Sequence, residues 1–388
     1  MVNKLTLTII LVVVLICFVA CTKQPSGIIL SPSTEPSTSD PTETTEPSAQ
    51  SRWNKVSDNI YDITELTDNI KSLVIFDVDL EQRFIMCRDK ALNEIHFIPF
   101  ELGELLANYD EDYIVTTPWT SKYSIYQGNL YVHESSYSGL QTVQVHSPAK
   151  KQMLSQFNLP HTSVVGIAKG KDDVLLVDVS EDSQRIYTKN TTNNTIQELF
   201  TWDTSDKTKV PTITMLSQGD MGFAFTGWIY PSPNTQSVTC YGLIDNYGNL
   251  VEFTTQDSFE VEFFHGGMII YDAIPIYGST STQTGKYSVY NAEKLSTVKI
   301  TPDSVGETAA RRIHVSETGK YFLTGGDCAN GVSFRVYETQ SGEVIAKFDS
   351  MCEIKDPVQQ ITAISEKEKA FIVVTRTKTE QQIHYYQF

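Results

Sequence analysis

Residues 316–348, SETGKYFLTGGDCANGVSFRVYETQSGEVIAKF, decide the fold of this chain. Strand-forming residues alternate there with turn-forming ones, which predicts strands at Lys320–Thr324, Ser333–Tyr337 and Glu343–Phe348. A further strand at Arg311–Val315 precedes them, joined through the tight turn Ser316-Glu317-Thr318-Gly319. Four antiparallel strands within about 45 residues are the size of one β-propeller blade.

The second strand of this unit recurs along the chain at intervals of about 50 residues, as expected of a repeated blade. The recurrences are Arg83–Cys87, Asn129–His133, Val174–Asp178, Gly222–Thr226, Met268–Asp272, Tyr321–Gly325 and Ala370–Val374. A third strand rich in aromatic and β-branched residues follows each of them. We therefore predict an all-β, seven-bladed β-propeller of four-stranded antiparallel blades. A pair of β-sandwiches, or a ring of six or eight blades, remains an alternative.

The two ends of the repeat region predict how the ring closes. The seventh unit stops at Phe388, directly after its third strand, whereas Asn59–Ile63 is a spare strand-like segment ahead of the first unit. We expect this segment to complete the last blade, because the pairing would remove two exposed sheet edges. The fourth strand of the first unit is expected around Glu104–Ala107.

The N-terminus carries a basic Lys4, an apolar run from Leu5 to Val19, and the sequence Phe18-Val19-Ala20-Cys21. It resembles the signal and lipobox of bacterial lipoproteins. The resemblance implies a signal peptide over residues 1–20, cleavage before Cys21, and lipidation, including palmitate, at Cys21. An ordinary secretory signal or an uncleaved anchor is the alternative. Residues 21–52, rich in Pro, Ser, Thr and Glu, are predicted to be a disordered tether to a propeller domain over residues 53–388.

Residues 315–348 also resemble the repeat of YVTN-type and WD-repeat propellers. The shared pattern is a Ser-x-x-Gly-Lys turn, a strand, a turn, and a strand that ends before a Thr-x-x-Gly turn. The resemblance implies the fold rather than an activity.

Charge and motif content narrow the classes of function. The formal net charge is −17, which argues against binding to nucleic acid. The sequence has no His pair with helical metal-ligand spacing and no Gly-x-Ser-x-Gly elbow. Asp77-Val-Asp79-Leu-Glu81 lacks the length and glycine of a calcium loop and is interpreted as a solvated turn. We predict no catalytic residue, metal site or cofactor.

Four cysteines lie in the predicted domain. Cys328 and Cys352 are expected in loops on the same face of the ring, where an exported protein could join them in a disulfide. Cys87 and Cys240 lie in different blades and are interpreted as buried apolar residues.

Two long loops between second and third strands, Gly227–Ser237 and Pro275–Gly285, predict a binding surface. Aromatic residues with small polar neighbours suit protein, peptide or glycan surfaces. The candidate surface residues are Trp228, Tyr230, Tyr277, Tyr137, Trp202 and His161. The alternative is that Trp228 and Tyr230 cap their own blade.

These features favour a non-enzymatic, monomeric lipoprotein on the extracytoplasmic face of a bacterial cell membrane, held there by its lipid. Its partner would be a protein or an envelope glycan. One alternative is a propeller enzyme, a lactonase, glycosidase or lyase, with its site at the mouth of the central channel. Three or more carboxylate or His side chains gathered there would favour it. A sensory or assembly accessory of the envelope is a further alternative.

Overall fold

A computed structural model of the chain describes the propeller region in detail. The described residues are 54–57, 60–63, 73–89, 92–100, 113–117, 122–126, 128–135, 140–160, 164–232, 235–256, 259–271, 286–302, 310–328, 331–351, 354, 359–377 and 380–388. They all belong to one compact unit, residues 49–388. The predicted signal peptide, the lipidation site Cys21 and the tether lie outside the described residues. Among the described residues, no helix has the length and hydrophobicity needed to cross a membrane.

Six four-stranded antiparallel sheets follow one another along the described chain, each with its strands in sequence order. Blade one contains β3 (Leu73–Asp79), β4 (Phe84–Asp89), β5 (Glu94–Pro99) and β6 (Tyr113–Thr116). Blade two contains β7 (Lys122–Tyr126), β8 (Asn129–Ser135), β9 (Leu140–Ser147) and β10 (Gln152–Pro160). Blade three contains β11 (Val164–Gly166), β12 (Asp173–Val179), β13 (Ser183–Asn190) and β14 (Ile196–Asp203). Blade four contains β15 (Thr212–Gln218), β16 (Gly222–Ile229), β17 (Val238–Asp245) and β18 (Leu250–Thr255). Blade five contains β19 (Glu260–Phe264), β20 (Gly267–Tyr271), β21 (Tyr287–Asn291) and β22 (Ser296–Ile300). Blade six contains β23 (Ala310–Val315), β24 (Tyr321–Cys328), β25 (Gly331–Glu338) and β26 (Val344–Met351).

The seventh sheet joins the two ends of the domain. Its strands are β27 (Gln359–Ser365), β28 (Ala370–Arg376) and β29 (Gln381–Gln387), followed by β2 (Ile60–Asp62) and β1 (Asn54–Ser57). The closing strand β2 pairs antiparallel with β29, with Tyr61 opposite Ile383. The predicted closing strand is therefore seen over Ile60–Asp62, whereas Asn59 lies outside the described residues. β1 adds a fifth strand that the sequence did not predict.

Seven hydrophobic clusters lie between the blades that the structure describes, one at each junction around the ring. The cluster between blades three and four contains Leu175 and Phe225, and the cluster between blades five and six contains Val289 and Phe322. The closing junction packs Ile85 of blade one against Ile372 of blade seven. The remaining junctions are filled in the same way. Seven junctions in a closed circle confirm the seven-bladed propeller.

Strand position within a blade explains the burial of its residues. The second strand β16, GFAFTGWI, is buried along nearly its whole length because neighbouring blades cover both of its faces. The fourth strand β14, IQELFTWD, is mostly exposed because it lies at the outer edge. Uninterrupted apolar second strands are thus the signal that located the blades. Each of the seven predicted second strands overlaps an observed one, although Arg83 precedes β4 and Asp272 lies outside the described residues.

The Ser316–Gly319 turn has the predicted form. Gly319 adopts a φ of 75°, and its amide donates to the Ser316 carbonyl at 2.9 Å. A Cβ at this position would lie 2.0 Å from a ring carbon of Phe264, so glycine also permits close packing against blade five.

One strand prediction was wrong. The fourth strand of blade one is Tyr113–Thr116, and not Glu104–Ala107, which lies outside the described residues. Val115 in this strand is buried, because it packs in the cluster between blades one and two. The apolar residues of ELGELLA resemble a strand, but they are not the ones placed opposite β5.

Cys87 and Cys240 are free and buried, as predicted. Burial raises the pKa of the Cys240 thiol to about 12, so it stays protonated and packs as an apolar group. Cys352 and the side chain of Cys328 lie outside the described residues, so their disulfide remains a prediction.

Candidate functional site

A cavity of about 430 Å³ lies within the ring, where the first strands and their following turns meet. Every blade contributes at least one lining residue, of which examples in blade order are Asp77, Ile125, Ile167, Met215, Glu262, His314 and Ile364. The volume is in the range typical of small-molecule sites. The cavity is thus a product of the whole ring, since no single blade or pair of blades could form it.

Carboxyl groups dominate the polar part of this cavity. Among the described residues, its lining includes five carboxyl groups and two imidazoles but no Lys or Arg: the residues are Asp77, Asp79, Glu81, Glu262, Glu317, His265 and His314. They come from the first strands and turns of blades one, five and six. The remaining lining is largely apolar, with Ile125, Ile167 and Met215 among its members. The described part of the site therefore combines acidic groups with an apolar wall.

Asp77 and Asp79 lie on β3, two residues apart, and both line the cavity. The Asp77 carboxylate accepts a hydrogen bond from the Val78 amide at 2.8 Å, and Asp79 accepts one from the Gln82 amide at 2.8 Å. Burial raises the pKa of each to about 6, although these hydrogen bonds oppose the shift. The interpretation of Asp77-Val-Asp79-Leu-Glu81 as a solvated turn was therefore wrong for its two aspartates.

Glu262 is the most strongly perturbed of the cavity carboxyls with a stated value. Burial, followed by the charge of Asp77, raises the pKa of Glu262 to about 8. The Glu262 side chain is partly exposed, and it lines the cavity. Protein surrounds the carboxyl on its other sides. Within the described part of the chain, no hydrogen bond or ion pair is made to this carboxyl. Glu262 is consequently protonated at pH 7 and available to a ligand.

His314, on the first strand of blade six, faces the same cavity. Burial lowers the pKa of His314 to about 4, so the imidazole is neutral at pH 7 and one ring nitrogen can accept a hydrogen bond. No hydrogen-bond partner of His314 lies among the described residues. Glu317, two residues beyond β23, also has a raised pKa, chiefly because of burial. Neutral His314 therefore does not offset the charge of the carboxylates.

The turns between first and second strands hold this end of the channel together. Glu81 in blade one accepts hydrogen bonds from the Glu366 and Lys367 amides of blade seven, at 2.6 and 3.3 Å. Glu366 in turn accepts from Ser316 and Thr318 of blade six, at distances from 2.6 to 3.0 Å. Glu81 and Glu366 thus accept hydrogen bonds from neighbouring blades. Glu262, in contrast, has no such donor among the described residues.

The described residues contain no group of three His, Cys, Asp or Glu side chains arranged to hold a metal ion. The described carboxyl and imidazole groups of the cavity therefore do not form a metal-binding cluster. This arrangement suits a ligand that occupies volume better than it suits a bare ion.

The predicted aromatic surface is described in part. Trp228 lies near the end of β16 and Tyr230 directly follows the strand. Their rings are in edge-to-face contact, with centroids 5.3 Å apart and planes at 89°. Both side chains are half-buried, and the Tyr230 amide donates to the Lys207 carbonyl at 3.3 Å. The pair thus caps its blade and still presents part of each ring at the surface.

Trp202 has a different environment from the other predicted surface residues. Its side chain is only 8% exposed, packs in the cluster between blades three and four, and donates from Nε1 to the Gly248 carbonyl at 2.6 Å. An indole buried in this way offers little area to a partner. The other candidates, Tyr137, His161 and Tyr277, lie outside the described residues.

Comparison with known proteins gives this chain no family. No family model matches the sequence, and no curated protein matches it. Its structure is similar to an uncharacterised protein of Listeria monocytogenes EGD-e, at 10% identity and a TM-score of 0.47, over 82% of this chain and 95% of that one. It is also similar to TolB of Acinetobacter baumannii, at 11% identity and a TM-score of 0.36, over 76% of each chain.

An acylaminoacyl peptidase of Pyrococcus horikoshii is another structural neighbour, at 8% identity and a TM-score of 0.43. The likeness covers 66% of this chain and 42% of the peptidase, so it spans less than half of that protein. With TM-scores below 0.5, these likenesses carry no argument about this chain. The strand pairing itself defines the class: this chain is a seven-bladed β-propeller protein.

Proposed function

We propose that this protein is a non-enzymatic binding propeller, anchored through lipidated Cys21 on the extracytoplasmic face of a bacterial cell membrane. It acts as a monomer and holds a protein or an envelope glycan on the face that carries Trp228 and Tyr230. The tether over residues 21–52 would give the ring freedom to reach this partner.

The observation that carries the proposal is the Trp228–Tyr230 pair. Two aromatic rings fixed edge to face, each partly exposed beside a loop rich in hydroxyl groups, lose little conformational entropy when a partner covers them. Trp and Tyr in such positions are enriched among residues that dominate binding energy. The pair therefore has the properties of an anchor for a protein or a sugar face.

The proposal is tested by affinity capture from envelope extract and glycan fragments with the full-length protein. The double variant Trp228→Ala with Tyr230→Ala is compared with Tyr247→Ala, which removes an 87% exposed ring from another turn of the same blade. We expect a partner that is retained by the wild type and by Tyr247→Ala, and bound at least about tenfold more weakly by the double variant.

Circular dichroism and the thermal midpoint must show that the double variant remains folded. Equal retention by the double variant, or no retained partner at all, would contradict the proposed surface. Loss with Tyr247→Ala instead would place the partner at a different end of blade four.

The cavity favours a second candidate, the propeller enzyme. More than three carboxyl and imidazole groups line it, which meets the criterion drawn from the sequence. Carboxyls whose environments separate their pKa values, here about 6 for Asp77 and about 8 for Glu262, resemble the base and acid of a hydrolase. Turnover of chromogenic glycosides or lactones that is abolished by Glu262→Gln would favour this candidate.

A further inference from the structure

We propose that the central cavity binds a small organic cation, an alkylammonium or alkylguanidinium compound, with its charged head on Asp77, Glu262 and His314 and its alkyl part against the apolar wall. This inference is independent of the aromatic surface and of its partner. It concerns residues that the proposed binding function leaves unused.

The charge of the lining is the first argument. The lining residues that the structure describes include five carboxyls and no Lys or Arg. Charges in neighbouring turns, namely Lys171, Glu366 and His265, act on the pKa of Glu317. The His265 ring also contacts the Lys169 carbonyl, at 2.8 Å. None of these reaches Glu262, whose titration is influenced by Asp77. A cation in the cavity would therefore supply the missing counter-charge.

Unsatisfied polar groups are the second argument. Glu262 and His314 come from adjacent first strands and face the cavity, yet neither has a hydrogen-bond partner among the described residues. Both side chains are partly exposed, so their polar atoms are open to water or to a ligand that replaces it. An ammonium has three donors and no acceptor, and a guanidinium has five donors. A carboxylate and a neutral imidazole supply the acceptors that these donors need.

Size and shape favour an organic cation over a metal ion. A volume of about 430 Å³ is far larger than a bare ion needs, and no three groups of the described chain converge as metal ligands. Apolar side chains, among them Ile125, Ile167 and Met215, form part of the wall. An alkyl chain of a few carbons would bury against them while its head meets the carboxyls.

Binding of such a cation must release a proton. Glu262 is neutral at pH 7 because its pKa is about 8, whereas Asp77 is mostly ionised because its pKa is about 6. The cation stabilises the charged form of Glu262, which therefore passes its proton to the buffer as the complex forms. Binding should release up to one proton near pH 7, release almost none above pH 9, and weaken below pH 6 as Asp77 and Asp79 become protonated.

The test is isothermal titration of the full-length protein with n-butylammonium chloride at pH 7.5, in two buffers of different ionisation enthalpy. We expect saturable binding, proton release that is visible as a difference in heat between the buffers, and affinity at least tenfold lower at pH 5. Glu262→Gln should weaken binding at least tenfold, whereas Glu181→Gln, the same change in an exposed turn, should not alter it. Asp77→Asn gives the same test should Glu262→Gln fail to fold.

Three probes distinguish other occupants. Butan-1-ol has the same alkyl chain without charge, so equal binding of it would show an apolar pocket and overturn the proposal. Calcium chloride that binds more tightly than butylammonium and loses affinity with Glu262→Gln would show a metal site and overturn it as well. Absence of saturable butylammonium binding, or binding that is insensitive to both substitutions, would also overturn it. These outcomes leave the aromatic surface untouched, because Trp228 and Tyr230 do not line the cavity.

Discussion

Glu262 and Asp77 lie on first strands of different blades, and the ring brings their carboxyls into one cavity. Burial disfavours the charge of both groups, and the charge of Asp77 further disfavours ionisation of Glu262. Among the described residues of the lining, no Lys or Arg compensates for the reduced solvation of these groups. The protein therefore keeps Glu262 neutral at a pH at which an ordinary glutamate is ionised.

The raised pKa of Glu262 predicts how stability depends on pH. The unfolded chain releases this proton near pH 4.5 and the folded protein near pH 8, so the folded state loses stability as pH rises through that interval. Each pH unit within it costs at most about 1.4 kcal/mol from this group. We expect Glu262→Gln to match the wild type at pH 4.5 and to be more stable by roughly 1–3 kcal/mol at pH 8.5.

Urea unfolding at pH 4.5, 7 and 8.5 measures this difference, with Glu181→Gln as the matched control. Asp77 and Asp79 remain in both proteins, so a shared loss of stability between about pH 4 and 6 should persist. A difference between variant and wild type that is the same at all three pH values would show that Glu262 titrates normally.

At the scale of the elements, the turns between first and second strands connect neighbouring blades. Glu366 follows β27 and accepts hydrogen bonds from the Ser316 hydroxyl, the Thr318 amide and hydroxyl, and the Lys320 amide of blade six. The Glu366 carboxylate thus accepts hydrogen bonds from four donor groups in one turn of the neighbouring blade. The first strands are positioned by such contacts as well as by the hydrophobic clusters between blades.

Removal of this contact should loosen the junction between blades six and seven. We expect Glu366→Ala to lower the free energy of unfolding by about 2–3 kcal/mol, since hydrogen bonds to a charged acceptor are stronger than neutral ones. Lys367→Ala is the matched control, because this exposed neighbour contributes its amide and not its side chain to Glu81. Equal midpoints of urea unfolding for the two variants would contradict the role given to Glu366.

The elements also show what the sequence could and could not predict. Apolar second strands such as GFAFTGWI cannot be exposed on either face, so their spacing located every blade. Short and polar strands were harder: NKVS of β1 has little strand character, and YIVT of β6 follows a long insertion. The aromatic candidates followed from loop length, but Trp202 showed no sign in the sequence that it would pack inward.

The cavity was beyond the sequence because its members are far apart along the chain. Asp77, Glu262 and His314 belong to three blades, and the alternation in LVIFDVD and EVEFF is also typical of an ordinary half-exposed strand. A useful signal was present, however: acidic residues on first strands are unusual near a channel, where burial disfavours charge. Knowledge of which strand comes first in each blade would have brought the two aspartates and Glu262 together.

At the scale of the molecule, two kinds of contact close the ring: a strand pairing and a hydrophobic cluster. The N-terminal strand β2 completes blade seven by pairing with β29, and Ile63, Ile85 and Ile372 fill the junction behind it. Closure leaves the first strands facing a common centre, and the cavity exists because all seven blades contribute to its wall. The protonation of Glu262 is therefore a property of the assembled ring rather than of any one blade.

Infrared difference spectroscopy of the wild type against Glu262→Gln tests that property most directly. We predict the carbonyl band of a protonated carboxylic acid at pH 7 in the wild type, absent from the variant. It should disappear with a midpoint near pH 8 and on addition of butylammonium at pH 7. Absence of the band at pH 7 would contradict the account, because it would mean that Glu262 is ionised and that the ring encloses no such site.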